Sequence, residues 1–308
     1  MTIEYSKVPV LFLLFNRPEL TRKTVQSIRA YQPDRLYIAA DGPREGNDSD
    51  VINCAVTREL VLSQIDWECD VHTLFREKNR GCGRGVSEGI SWMLDQEEYG
   101  IVLEDDCVPC PDFFRFCEVL LPEYKDNDKI AQINGFDPLF SGQKSDTYFF
   151  TAYPSIWGWA LWRRSWQYMD LYMTQWPSVR RHVFRKFPFI EASIHYLLWN
   201  KAYKKLKSGI KPDNWDFQWS LHVFMEDKLC INPCSNLVLN TGFGEDSMHC
   251  SKSEDLFKSV RYGDIDFPLR PPKTIMSDKY VEKKKSARYV RKHIRLLKSG
   301  FLRMVGKW

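Results

Sequence analysis

Over its first 140 residues the chain switches repeatedly between two hydrophobic periods, and this alternation restricts its fold more than any other feature. Residues 8–15 are an unbroken apolar run ended by Asn16-Arg17-Pro18, the pattern of a strand buried on both faces. Pro18 suits the first turn of a helix, after which Leu20, Thr24, Ile28 and Tyr31 recur at helical spacing. Residues 36–40 read as a second strand, stopped by the turn signal Asp41-Gly42-Pro43. Ile52, Val56 and Leu60 mark the stripe of a second helix, and residues 71–75 a third strand. Val86, Ile90 and Leu94 predict a third helix, and residues 100–103 a fourth strand. Strand and helix in alternation predict an α/β fold with a mostly parallel central sheet flanked by helices. In such sheets ligands bind beyond the carboxyl ends of the strands.

Three of those ends carry polar groups: Asn16-Arg17 after the first strand, Asp41 after the second, and Glu104-Asp105-Asp106 after the fourth. Neither G-x-G-x-x-G after strand one nor G-x-x-x-x-G-K-[ST] anywhere is present, and the glycine-rich residues 81–85, expected to precede the third helix, have the spacing of neither. Dinucleotide and P-loop chemistry are thereby excluded. Three consecutive acids at the end of an apolar strand repel one another unless exposure or a cation relieves them. Along an extended segment Glu104 and Asp106 point to one side and Asp105 to the other. The triplet is either a solvated turn before the helix opened by Pro111-Asp112, or a carboxylate site for Mn²⁺ or Mg²⁺ whose shell substrate phosphates complete.

The segment from Ile101 to Phe114, with its Glu-Asp-Asp followed by Pro-Asp-Phe-Phe, resembles the metal-binding strand end of nucleotide-sugar glycosyltransferases of the GT-A fold. It is most similar to the inverting N-acetylglucosaminyltransferase I-like group, and more broadly to bacterial family 2 glycosyltransferases. The resemblance implies that Asp106 coordinates the metal, Asp105 contacts the ribose side and Glu104 reaches the donor sugar. It implies further that Asn16, Arg17 and Asp41 frame the uracil of a UDP-sugar and that Arg84 meets the diphosphate. On bland readings Asp41 is a turn former and Arg17 a solvated charge before a helix.

From Tyr148 onward the alternation fails, and eight of the eleven tryptophans fall between Trp157 and Trp219. Most are expected in the core, since aromatic rings carry large buried area, with one or two left for stacking on sugar. Within Asp213-Asn-Trp-Asp-Phe-Gln-Trp219, Asp216 lies among apolar neighbours. It reads either as a helix cap or as a carboxylate tuned to act as a base. The resembling group has a Trp-Asp pair at the corresponding place, whose Asp is the catalytic base; that role passes to Asp216, with Asp213 as the fallback. One base suffices for a single inverting displacement, because the leaving diphosphate departs as a metal-bound anion. A retaining double displacement needs a nucleophile on the other face, and the sequence offers no clear one. Residues 240–249 read as a surface loop or as a lid over donor and metal. The resembling group has Ser-His-Gly where this chain has Ser-Met-His, which leaves His249 as a further metal or diphosphate contact.

A nucleotidyltransferase also uses strand-end carboxylates and a metal, but it needs a glycine-rich basic loop after strand one, where this chain has Asn16-Arg17-Pro18-Glu19. An inactive transferase-like scaffold at a membrane is the non-enzymatic alternative. The apolar run at residues 8–15 is too short for a secretory signal and lacks a cleavage site. No stretch reaches the about eighteen apolar residues of a membrane span. The nine cysteines have no paired zinc-ligand spacing and are expected as reduced thiols.

The net charge of +4 argues against a nucleic-acid partner but averages two unlike parts. Residues 279–308 hold eleven lysines and arginines against Glu282, which leaves −6 on residues 1–278. Val290, Ile294, Leu297, Phe301, Met304 and Trp308 share a helical stripe there. A basic amphipathic helix with a terminal aromatic reads as an anchor on an anionic membrane. The expected organisation is a GT-A domain over residues 1–276, with a nucleotide-sugar half (1–140) and an acceptor half (141–276), followed by the basic helix (277–308). The expected setting is the cytoplasmic face of the cell membrane, and the expected acceptor a lipid-linked glycan of a surface polysaccharide or lipopolysaccharide.

Overall fold

Five consecutive apolar residues, Val10–Leu14, form β1, and all five are buried. The strand needs no polar face because protein covers both sides of it. β1 is flanked in parallel by β2 (Arg35–Ala40) on one side and β4 (Tyr99–Glu104) on the other, with β3 (Asp70–Phe75) outside β2. Parallel neighbours require crossovers, supplied by α1 (Pro18–Tyr31), α2 (Asp48–Ser63) and α3 (Cys82–Leu94). The computed structural model of the chain describes residues 7–137, 146–242 and 262–305, with side chains of the last helix as far as residue 296.

After β4 the chain forms β5 (Cys107–Pro109), α4 (Pro111–Glu123), β6 (Ile130–Asn134), β7 (Tyr148–Thr151) and β8 (Trp159–Trp162). Three single turns follow, α5 (Arg163–Trp166), α6 (Trp176–Val179) and α7 (Val183–Lys186), and then the longer α8 (Phe189–Lys207) and α9 (Asp216–Met225). β9 (Leu229–Pro233), β10 (Val238–Asn240) and α10 (Lys279–Val305) complete the described elements. One eight-stranded sheet runs β3-β2-β1-β4-β8-β6-β9-β7. β8 is antiparallel to both neighbours, and four of the seven pairings are parallel. β5 and β10 make a separate antiparallel pair beside the acidic triplet.

Two sequence expectations fail. Ile52 and Val56 are exposed, and α2 instead buries Asp50, Cys54, Thr57 and Val61. Polar groups can face inward there because each has partners. Asp50 accepts hydrogen bonds from Arg44 and Asn16, which hold its carboxyl down at about 2, and Thr57 donates to the Asn53 carbonyl. The glycine-rich residues 81–85 also do not precede the third helix. Gly81, at φ 81°, caps α3, and residues 82–85 are its first turn.

Seven of the eight clustered tryptophans are buried, as core residues should be, and Trp157 is half-buried. Trp159 stacks on Trp215 with centroids 5.5 Å apart, and Trp166 and Trp219 close the group. The strands that escaped the sequence pattern carry inward polar residues that satisfy one another. Gln132 accepts from the Trp219 indole and donates to Asn134, which donates to Asn232, which donates in turn to Asp137.

α10 docks on this polar ladder. The Lys285 ammonium lies 2.8 Å from Asp137, and Glu282 accepts from the Thr151 hydroxyl and the Ala152 amide. Ser286 donates to Glu191 of α8, and the Tyr289 ring stacks on His195 at 4.2 Å. Burial holds His195 below its ordinary value against the raising effect of Glu191. A histidine whose pKa is lower folded than unfolded destabilises the fold as pH drops through the unfolded value of about 6.5. The melting temperature is therefore expected to fall between pH 7 and pH 5. His195→Phe is expected to flatten that slope in calorimetry at stepped pH, and an unchanged slope would remove His195 as its source.

Candidate active site

The carboxyl ends of β1, β2 and β4 lie side by side, since Leu14 pairs with Ala40 and Leu13 with Glu104. Each strand delivers its polar residues to that edge. Arg17, at the N-cap of α1, forks across the triplet: its guanidinium holds both Asp105 oxygens and reaches Asp106 Oδ2 at 3.2 Å. Asp105 is 2% exposed, and burial lifts its carboxyl to about 6 despite Arg17. The Thr24 hydroxyl donates to the Asp105 carbonyl and ties α1 to the same corner. Burial also raises Glu104, as do the carboxylates of Asp106, Asp105 and Asp216, against the lowering effect of Arg17. The corner thus holds more negative charge than Arg17 neutralises.

Asp106 faces β10 and the segment after it. The Asn240 amide lies 3.4 Å from Asp106 Oδ1, and the Thr241 amide donates to the Asp106 carbonyl at 2.8 Å. Asp41 accepts from the backbone amides of Gly42, Arg80 and Gly81 at 2.8–3.1 Å, which fixes the turn that opens α3. Asn16 donates to Asp50 at 2.6 Å. Arg84 turns instead to Glu88, which it shares with Arg76 and Arg80. His249 lies outside the described residues.

Asp216 opens α9 directly after the buried Trp215. Its charge raises Glu104, and it also raises the thiol of Cys82 at the start of α3. Cys82 is open to solvent on one side, yet enough protein surrounds the thiol for desolvation to be the largest cause of its rise, ahead of Glu104, Asp216 and Asp41. With Gly83 of α3 packed against the backbone of residues 212–214, the first turn of α3, the triplet and the first turn of α9 are neighbours, and the space they border is the candidate cleft. Asp213 stands apart, 68% exposed and paired with Lys205 at 3.4 Å.

The residues that hold this cleft together carry no motif in the sequence. Gly83 is buried where the backbone of residues 212–214 crosses α3, and a Cβ there would lie 2.9 Å from the Asn214 carbonyl oxygen. Asp50, Asn240 and Thr241 each fix a predicted residue rather than meeting the cleft as part of a motif. The crowded glycines at 81, 83 and 85 were the available signal for a close backbone approach.

Among the described residues no three His, Cys, Asp or Glu side chains form a cage for a metal. The donor set nevertheless suits a hard divalent ion. Asp106 offers carboxylate oxygens beside uncompensated negative charge, and Mn²⁺ or Mg²⁺ takes one or two protein carboxylates and completes its shell with phosphate and water.

The sequence profile described as Glycosyl transferase family 2 matches residues 10–223. No curated protein matches the chain. Among solved structures, HddC from Yersinia pseudotuberculosis is similar at 11% identity, covering 53% of this chain and 81% of its own, with a TM-score of 0.33. An apo UDP-glucose pyrophosphorylase is similar at 9% identity, with 74% and 90% covered and a TM-score of 0.35. Its complex with UDP-glucose gives 10% identity, the same coverage and 0.36.

Proposed function

Because the chain belongs to glycosyl transferase family 2, we propose that it is a metal-dependent inverting glycosyltransferase acting on a UDP-sugar, UDP-GlcNAc or a similar donor. The acceptor is a hydroxyl of a glycan carried on a lipid, as in surface polysaccharide or lipopolysaccharide assembly. The observation that supports this reading is the nearness of the triplet at the end of β4 to Asp216 at the start of α9, across the packing of Gly83 on residues 212–214.

Residues 1–140 hold the donor and residues 141–276 the acceptor. Asn16 and Asp41 border the uracil, Asp105 the ribose, and Glu104 the donor sugar. Arg17 keeps Asp105 and Asp106 aligned through its fork. Arg84 remains the candidate for the diphosphate, which would have to compete with Glu88 for it. Asp106 would hold the metal, with His249 as a second ligand. When bound, that ion neutralises charge on the departing diphosphate.

The acceptor oxygen forms its bond to the anomeric carbon as the bond from that carbon to the diphosphate breaks, and the electron pair leaves with UDP. Asp216 takes the acceptor's proton. Its place in the first turn of α9 favours an anionic side chain, because unpaired backbone amides gather there.

Location follows from the last helix. None of the described helices is long and apolar enough to cross a membrane. The basic residues of α10 suit the anionic cytoplasmic face of the cell membrane.

A screen of UDP-sugars with Mn²⁺ tests the reading. Slow UDP release that stops on chelation is expected. Pyrophosphate release from UTP would make the protein a nucleotidyltransferase, and failure to bind any nucleotide would make it a scaffold.

A further inference from the structure

α10 is not the only basic helix. Residues 180–211 contain nine lysines and arginines against one acid, Glu191. Glu191 is buried and accepts from Tyr153 and Ser286, so the segment contributes no acid to the surface. Neighbouring Asp227 and Asp213 pair with Lys186 and Lys205.

The same segment exposes large apolar groups. Phe189 is 77% exposed, Leu197 64%, Ile190 58% and Phe184 44%. The Phe184 ring lies 6.0 Å from that of Phe189. Ile190, Leu197, Lys201 and Lys204 follow one another at the spacing of one helical face. The opposite side of α8 is spent on the core through Ala192, His195 and Trp199. α8 is therefore apolar on two sides, and the core accounts for one of them.

α8 and α10 are fixed against each other by the Ser286–Glu191 hydrogen bond and by the stacked Tyr289 and His195. The Lys285–Asp137 pair locks α10 to the sheet. Two basic helices thus stand together in one orientation.

We propose that α7, α8 and α10 form a single docking surface for an anionic lipid bilayer. Phe184, Phe189, Ile190 and Leu197 enter the boundary between headgroups and acyl chains, and the lysines and arginines of both helices meet lipid phosphates. Exposed aromatic groups on a segment with a large excess of positive charge, seven of its nine cations outside the Lys186–Asp227 and Lys205–Asp213 pairs, complement such a surface in both polarity and charge. The proposal deepens the reading of a lipid-borne acceptor, on which it rests, and replaces a trailing tether with a rigid platform.

Sedimentation of the full chain with phosphatidylcholine vesicles, with and without phosphatidylglycerol, tests it. Binding to the anionic vesicles alone is expected. The variant F189S/L197S is expected to bind them about tenfold or more weakly, since insertion scales with buried apolar area. Its melting and UDP release without lipid should match those of the wild type, because both side chains are exposed and neither belongs to the proposed site. A double variant that binds like the wild type would leave α10 as the sole anchor and overturn the proposal. Equal binding to both vesicles, or to neither, would overturn it too, as would full competition by soluble polyphosphate. Loss of UDP release in the wild type with vesicle binding intact would count against the transferase reading and leave the surface standing.

Discussion

Asp216→Asn is expected to lower sugar transfer by about 10²–10⁴-fold, the usual contribution of a positioned general base, while UDP-sugar binding is retained. Asparagine keeps the shape of the carboxylate and its place at the start of α9, so Trp215 and the tryptophan group around it need not move. What it lacks is an oxygen able to take a proton. The residues proposed to bind the donor, Arg17, Asp105 and Asp41, are held by their own partners and not by Asp216. Asp213→Asn is the control: Asp213 sits in solvent with Lys205, and its loss should leave turnover unchanged. Product formation and UDP binding by calorimetry, measured on both variants, decide the matter. Near-wild-type turnover of the Asp216 variant would remove Asp216 from the base role.

What the sequence disclosed about this cleft was its parallel-strand half. A strand buried on both faces has no choice but an unbroken apolar run, so β1, β2 and β4 announced themselves, and with them the ends where Arg17, Asp41 and the triplet stand. Inward polarity is what hid the rest. α2 buries Asp50 and Thr57 against specific partners and exposes Ile52 and Val56, so its apolar stripe pointed to the wrong face. β6 and β9 place Gln132, Asn134 and Asn232 inside, where hydrogen bonds between distant segments satisfy them. No local period can encode a partner a hundred residues away. Lys285 and Glu282 count toward the charge of residues 279–308, yet both are turned inward and help lock α10 to the sheet. The Trp-Asp pair singles out Asp216 in the sequence; its nearness to Glu104 comes from the packing of residues 212–214 on Gly83 of α3, which no local pattern encodes.

That packing passes through Gly83, and Gly83→Ala is expected to cost about 10²-fold in turnover. The new methyl group would lie 2.9 Å from the Asn214 carbonyl oxygen and closer still to that of Pro212. Both obstacles are backbone, so no side-chain rotation relieves the overlap, and residues 212–214 must move by about 1 Å, a displacement that can cost about 10²-fold at a reacting group. Trp215 is 2% exposed and stacked on Trp159, so it resists following, and the strain falls on the joint that aims Asp216. Alanine also favours the helix by about 1 kcal/mol over glycine, which offsets part of the clash and favours a folded variant. If Gly83 acts by aiming Asp216, the two losses should not multiply, because a misplaced base and an absent base fail at the same step. The double variant should then be no slower than Asp216→Asn alone. Losses that multiply would mean that Gly83 serves the cleft through the donor side, where α3 meets Asp41.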